Sequence, residues 1–122
     1  MDVITHLMFQ DGCARTAAER YVALVPGSRI DEVVGEDGPG QVIRFALAGR
    51  PFMAFESPVS HAFGFTPAMS VYLSCDTTEE VDRLFAALSD GGQVLMPVGD
   101  HGFSAHYGWC TDRHGVSWQI GT

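Results

Sequence analysis

Positive charge is scarce in this chain. Seven Lys and Arg stand against fifteen Asp and Glu, for a formal net charge of −8 and an isoelectric point near 4.8. A surface of that sign repels nucleic-acid phosphates and anionic headgroups, so neither nucleic acid nor membrane is an expected partner. Long apolar runs are missing too, since no stretch approaches the ~20 residues of a membrane helix. The N-terminus lacks the basic and apolar regions of a signal peptide. Cysteine is limited to Cys13, Cys75 and Cys110, odd in number and scattered, with no Cys-x-x-Cys pair to build a structural zinc site. Free thiols of this kind suit a reducing cytosol, and a cytoplasmic location is expected.

What is present is enough apolar material for a core: 46% of 122 residues are hydrophobic, a length that fits one domain. Val3 to Phe9 alternates as a strand, and Asp11-Gly12 ends it and can cap the next element. Ala14, Ala17, Ala18, Tyr21, Val22 and Val25 recur at helical spacing, and Pro26-Gly27 stops that helix. Strands follow at 29–34, 41–48 and 51–56, the first two separated by the polar turn Gly35 to Gly40 and the last two by Gly49-Arg50. Residues 58–67 are irregular and read as a link. The second half starts with a strand at 68–75. A helix follows, opened by a Thr77/Glu80 capping box and carrying the stripe Val81, Leu84, Phe85, Leu88. Gly91-Gly92 ends it, and a short strand at 93–98, a loop at 99–104 and a terminal hairpin complete the chain. The order is strand-helix-strand-strand-strand, twice. The expected class is α+β, a single domain over 1–122 with modules of about 1–57 and 68–122 joined by 58–67.

The terminal hairpin organises the rest. Tyr107 to Thr111 is aromatic and β-prone, Asp112 to Gly115 is turn chemistry, and Val116 to Ile120 alternates. Val116, Trp118 and Ile120 share one face, Ser117 and Gln119 the other, which borders either a cavity or solvent. The string Gly108-Trp109, Asp112-Arg113, Gly115 to Ile120 resembles the closing motif of the glyoxalase/bleomycin-resistance, or vicinal oxygen chelate, superfamily. It is closest to the PhnB-like branch, often labelled 3-demethylubiquinone-9 3-methyltransferase. Leu47-Ala48-Gly49, Phe52-Met53-Ala54, Phe65-Thr66-Pro67-Ala68 and Glu79 to Leu84 look like further stretches of that branch. The resemblance implies paired βαβββ modules forming a half-barrel cleft, usually closed across a homodimer.

The resemblance also implies four metal-ligand positions: the first falls near Ile4, with His6 two residues along on the same face, so the quartet is at best His6, Glu56, Ser70 and Gln119. A serine hydroxyl and an amide oxygen are poor donors beside imidazole and carboxylate, so no cofactor is expected, at most a weakly held divalent metal. His6 is either a cavity histidine or a ligand. Arg44 lies between apolar strand neighbours and faces either an anionic ligand or solvent. With Tyr72 and Ser117 these residues make up the expected cleft lining. The other histidines are expected to be solvated or capping, Tyr107, Trp109 and Trp118 to be core, and no cysteine to be a nucleophile. A methyl-donor site would need a glycine-rich loop between strand and helix, and after Gly35 to Gly40 a strand follows instead, so S-adenosylmethionine is not expected to bind. The leading expectation is a homodimeric small-molecule-binding protein whose reaction is open. One rival is a metal-assisted or acid/base enzyme acting on a small polar substrate, with His6 and Glu56 as candidate catalytic pair. The other is a drug- or metabolite-sequestering protein of bleomycin-resistance type.

Overall fold

Each half of the sequence builds the same sheet. The computed structural model describes all 122 residues, and the chain divides into two units, Met1–Gly64 and Phe65–Thr122. The first unit runs β1 (Thr5–Phe9), α1 (Ala14–Leu24), β2 (Arg29–Val34), β3 (Val42–Leu47), β4 (Arg50–Glu56). The second runs β5 (Ser70–Ser74), α2 (Thr78–Ser89), β6 (Gln93–Gly99), β7 (Tyr107–Thr111), β8 (Ser117–Gly121). The strand orders are β1-β4-β3-β2 and β5-β8-β7-β6. In each sheet the first and last strands of the module pair in parallel and the remaining ladders are antiparallel. These are the two βαβββ modules expected from the repeated element order.

One face of each sheet is covered by its helix. In the first unit Ala14, Ala17, Ala18 and Tyr21 of α1 are buried, as are Leu7, Phe9, Ile43, Phe45, Phe52 and Ala54 of the strands. The alanines let the helix approach closely, and the Phe45 and Phe52 rings stack at 5.3 Å. In the second unit Val81, Leu84 and Leu88 of α2 are buried with Cys110, Trp118 and Ile120. Gly108 is needed there, because a Cβ at that position would lie 2.7 Å from the Phe85 ring of α2. Each large apolar side chain so buried stabilises by about 1.5–3 kcal/mol.

The elements end where local chemistry dictates. Thr77 Oγ1 accepts the Glu80 amide at 3.2 Å and starts α2, as the capping box predicts. The Asp112 turn also behaves as expected. Its Oδ1 accepts the His114 and Val116 amides, and Gly115 takes φ 92°. Two expectations need correction. The hairpin between β3 and β4 turns at Ala48-Gly49, not Gly49-Arg50, since Leu47 pairs with Arg50 and both turn residues have positive φ. Asp11 does not cap α1: its Oδ1 takes the Cys13 amide, and the first amides of the helix are met from elsewhere.

Candidate functional site

The face of each sheet turned away from its helix carries the other set of alternating side chains. In the second unit the parallel register pairs Ser70 with Ser117 and Tyr72 with Gln119, which puts all four on one face. Across the β7–β8 ladder Trp109 pairs with Gln119 and Thr111 with Ser117, so alternate β7 residues join them. Trp118 and Ile120 point the other way, into the buried layer under α2. Ser117 and Gln119 thus lie opposite the helix, beside Ser70 and Tyr72.

Hydrogen bonds tie this face together. Tyr107 donates its hydroxyl to Gln119 Oε1 at 2.6 Å. The Trp109 indole N–H donates to Ser117 Oγ at 2.8 Å, and Ser117 and Ser70 share a hydroxyl hydrogen bond of 2.6 Å. Above them lies an aromatic group. Phe103 packs edge-on against Tyr107 with centroids 4.7 Å apart, Tyr72 lies 6.3 Å from Tyr107, and His101 meets both Phe103 and Tyr107. Burial, and secondarily the neighbouring Tyr72, raises the Tyr107 phenol above its ordinary pKa, so it remains a protonated donor at neutral pH. Tyr72 and Phe103 stay more than half exposed, at 52% and 67%.

Several of these residues escaped the sequence reading. Tyr107 is buried, yet its hydroxyl serves the open face. Trp109 is half-buried on that face, unlike Trp118, which is fully core. The signal was present in the phase of the strand, where Tyr107, Trp109 and Thr111 alternate with Gly108 and Cys110. His101 is not simply solvated, since its ring packs into the aromatic group and its Nε2 lies 2.8 Å from the Pro97 carbonyl. His106 meets Asp82 at 2.7 Å.

In the first unit the candidates separate. Parallel register pairs His6 with Met53 and Phe9 with Glu56, so His6 and Glu56 lie on opposite faces of the sheet. His6 is exposed on the open face, 5.8 Å from the Phe55 ring. Arg44 is also exposed there and faces Glu32 at 3.7 Å. Glu56 is 4% exposed and turned toward α1, where Oε1 accepts the Ala14 amide at 3.0 Å and Oε2 the Gly12 amide at 2.9 Å. It is the cap that Asp11 was expected to supply. Glu56 is thus neither paired with His6 as an acid/base dyad nor part of the open-face lining. A surface groove of ≈ 460 Å³ near the start of α1 is lined by Arg15, Glu19, Asp37 and Gln41 among others, and its one cation is already held by Glu19 and Asp37.

The four positions that the resemblance assigns to a metal do not fit one as a set. Both Glu56 oxygens are engaged by backbone amides. Ser70 and Gln119 are neutral and hydrogen-bonded to Ser117 and Tyr107. That leaves His6 as the one good donor for a divalent transition ion. The thiols offer no nucleophile. Burial, with smaller contributions from nearby acidic groups, pushes Cys75 and Cys110 up to about 11, and Cys13 is raised as well.

Comparison with known proteins agrees with this architecture. The family described as 3-demethylubiquinone-9 3-methyltransferase matches residues 1–121. The PhnB protein from Bacillus cereus is 41% identical, with a TM-score of 0.91 over 99% of this chain and 98% of its own. Protein PA1353 from Pseudomonas aeruginosa is 26% identical, with a TM-score of 0.84 over 99% and 96%. A mutant of the fosfomycin resistance protein FosX from Listeria monocytogenes, complexed with Mn(II) and 1S,2S-dihydroxypropylphosphonic acid, is 14% identical. It shares the fold, with a TM-score of 0.68 over 99% of this chain and 90% of its own. No curated protein matches the sequence. With its two βαβββ modules and a match along nearly its whole length, the chain belongs to the 3-demethylubiquinone-9 3-methyltransferase, or PhnB-like, family, within the glyoxalase/vicinal oxygen chelate superfamily.

Proposed function

We propose that this protein binds a small organic molecule on the face of the second sheet turned away from α2, acting as a homodimer in the cytoplasm. The observation that carries the reading is the paired hydrogen-bond set, Tyr107–Gln119 and Trp109–Ser117–Ser70, beneath the exposed rings of Tyr72 and Phe103. Buried polar groups held in fixed directions beside apolar rings are what a small-molecule site requires. No strong acid or base stands on these strands, so binding is favoured over acid/base turnover. Methyl transfer is not favoured either. The glycine-rich stretch Gly35 to Gly40 leads into β3, and the two strand-to-helix connections, β1 to α1 and β5 to α2, hold one glycine between them, so neither is the glycine-rich cradle of the usual methyl-donor kind. Of the positions that the resemblance assigns to a metal, the two on the second sheet, Ser70 and Gln119, carry neutral side chains already hydrogen-bonded within the chain. No metal-dependent step is assigned to it.

The test is an amide-resonance titration of isotope-labelled protein against a panel of small aromatic compounds. Shifts concentrated on β5, β7 and β8 are expected. Shifts confined to the Arg15/Asp37 groove or to the first unit would overturn the reading. Calorimetry with S-adenosylmethionine should give no saturable heat.

A further inference from the structure

We infer that the ligand is an uncharged, planar molecule carrying a carbonyl-type acceptor, received by Gln119 Nε2 with Tyr107 as the positioning residue. This rests on the reading that the open face of the second sheet is the binding face. Charge comes first. The chain carries twenty-two Asp, Glu, Lys and Arg side chains, yet the four strands SVYLS, QVLMPVG, YGWCT and SWQIG contain none, and no histidine. A carboxylate, phosphate or ammonium placed on that sheet would lose water and gain no counter-charge from its strands, which is costly, and the nearby His101 ring already has its Nε2 2.8 Å from the Pro97 carbonyl. The chain's net −8 further disfavours an anion.

The hydrogen-bond inventory then narrows the class. Ser117 is 2% exposed and already engaged by Trp109 and Ser70. Gln119 is half-buried, and its Oε1 is occupied by the Tyr107 hydroxyl. That bond fixes which end of the amide faces outward. Nε2 has no partner in the chain, so the face presents an amide donor held in one direction and calls for an acceptor. Tyr72 and Phe103 supply the flat apolar surfaces, both packed on Tyr107 and both exposed. Ring against ring, offset or edge-on, favours a planar ligand.

Three probes of nearly one shape separate these claims. 2-Acetylnaphthalene is neutral with one carbonyl, 2-naphthoate is the anion, and 2-ethylnaphthalene has no acceptor. The chain has four glutamines and no asparagine, so the side-chain amide region of a nitrogen-15 spectrum holds four pairs of signals. Gln119→Leu identifies the relevant pair, and Gln119→Glu keeps the shape should the leucine variant fail to fold. The ketone should shift the Gln119 pair and bind roughly tenfold tighter than either other probe, the size of one hydrogen bond. Both variants should lose that margin. Tyr107→Phe should broaden the Gln119 pair and weaken ketone binding while leaving 2-ethylnaphthalene affinity unchanged, which a merely structural tyrosine would not do. Naphthoate binding equally well on the same face would overturn the charge claim while the binding face stands. Equal affinity for 2-ethylnaphthalene would overturn the acceptor claim. If no probe moves β5, β7 or β8, or if those signals follow protein concentration because a second copy covers the face, the binding face falls and the ligand class with it.

Discussion

One oxygen of Glu56 accepts the Ala14 amide, which the first turn of α1 would otherwise leave unpaired, the other accepts the Gly12 amide just before the helix, and the side chain is almost wholly buried. Removing it strands two donors. Glu56→Ala should cost about 2–3 kcal/mol in urea unfolding, the range for hydrogen bonds to a charged acceptor, and Glu56→Gln less. A stable alanine variant that instead lost a bound metal ion would restore Glu56 as a ligand. The position was misread because helix caps are sought next to the helix, whereas this one arrives from β4, 42 residues on from Ala14. That Ser117 and Gln119 share a face was readable because alternation within one strand decides it. Cys110 gives a second test. Its folded pKa of about 11 exceeds the unfolded thiol value, so the folded chain keeps a proton that the unfolded chain releases. Below about pH 8.5 both states hold the proton and the stability is fully present. It is then lost at ~1.4 kcal/mol per pH unit as pH rises toward the folded value. Urea midpoints from neutral to alkaline pH should fall more steeply for the wild type than for Cys110→Ala.

At the level of elements, the turn between β3 and β4 carries a visible defect. A two-residue hairpin with positive φ at both positions favours Asn-Gly, and this chain has Ala48 at φ 49° before Gly49 at φ 86°. An alanine in the left-handed region costs roughly 1 kcal/mol. Ala48→Asn should therefore raise stability by about 0.5–1 kcal/mol, read as a melting shift of ~2–4 °C in calorimetry. No gain would mean that the Ala48 amide bond to Ser28 Oγ already offsets the strain. The turn lay one residue off in the sequence reading because Gly49-Arg50 looks as turn-like as Ala48-Gly49 without the pairing of Leu47 with Arg50. The same limit explains the strands that proved shorter than alternation suggested, β1 starting at Thr5 and β5 at Ser70. Periodicity marks where a strand can run, and its partner strand decides where it stops. Helix α2, with its cap, stripe and glycine stop all local, was legible nearly to the residue. The loop before β7 was not, because its aromatic packing depends on Tyr107, whose neighbours come from distant strands.

Over the whole molecule, neither sheet closes on itself, and each has two edge strands, β1 and β2 in the first sheet and β5 and β6 in the second. No helix is long and apolar enough to cross a membrane. Of these, β2 and β6 differ. β2 carries Arg29, Asp31 and Glu32, charges that discourage pairing, whereas β6 is uncharged and exposes Val94 at 52% and Leu95 at 37%. Pro97 blocks further pairing toward the end of β6, which leaves Gln93 to Met96 as the segment open to a second copy. A homodimer that buries Val94 and Leu95 is therefore expected. Two chains of net charge −8 repel one another at long range, and salt screens that repulsion within a Debye length of ~10 Å or less at moderate ionic strength. Dimerisation should accordingly tighten as salt is added, the reverse of an interface held by ion pairs. Light scattering at micromolar protein should give twice the 13.2 kDa chain mass for the wild type, and a monomer for Val94→Lys. A wild-type monomer at both low and moderate salt would sink the dimer, and a Val94→Lys dimer would move the interface away from β6.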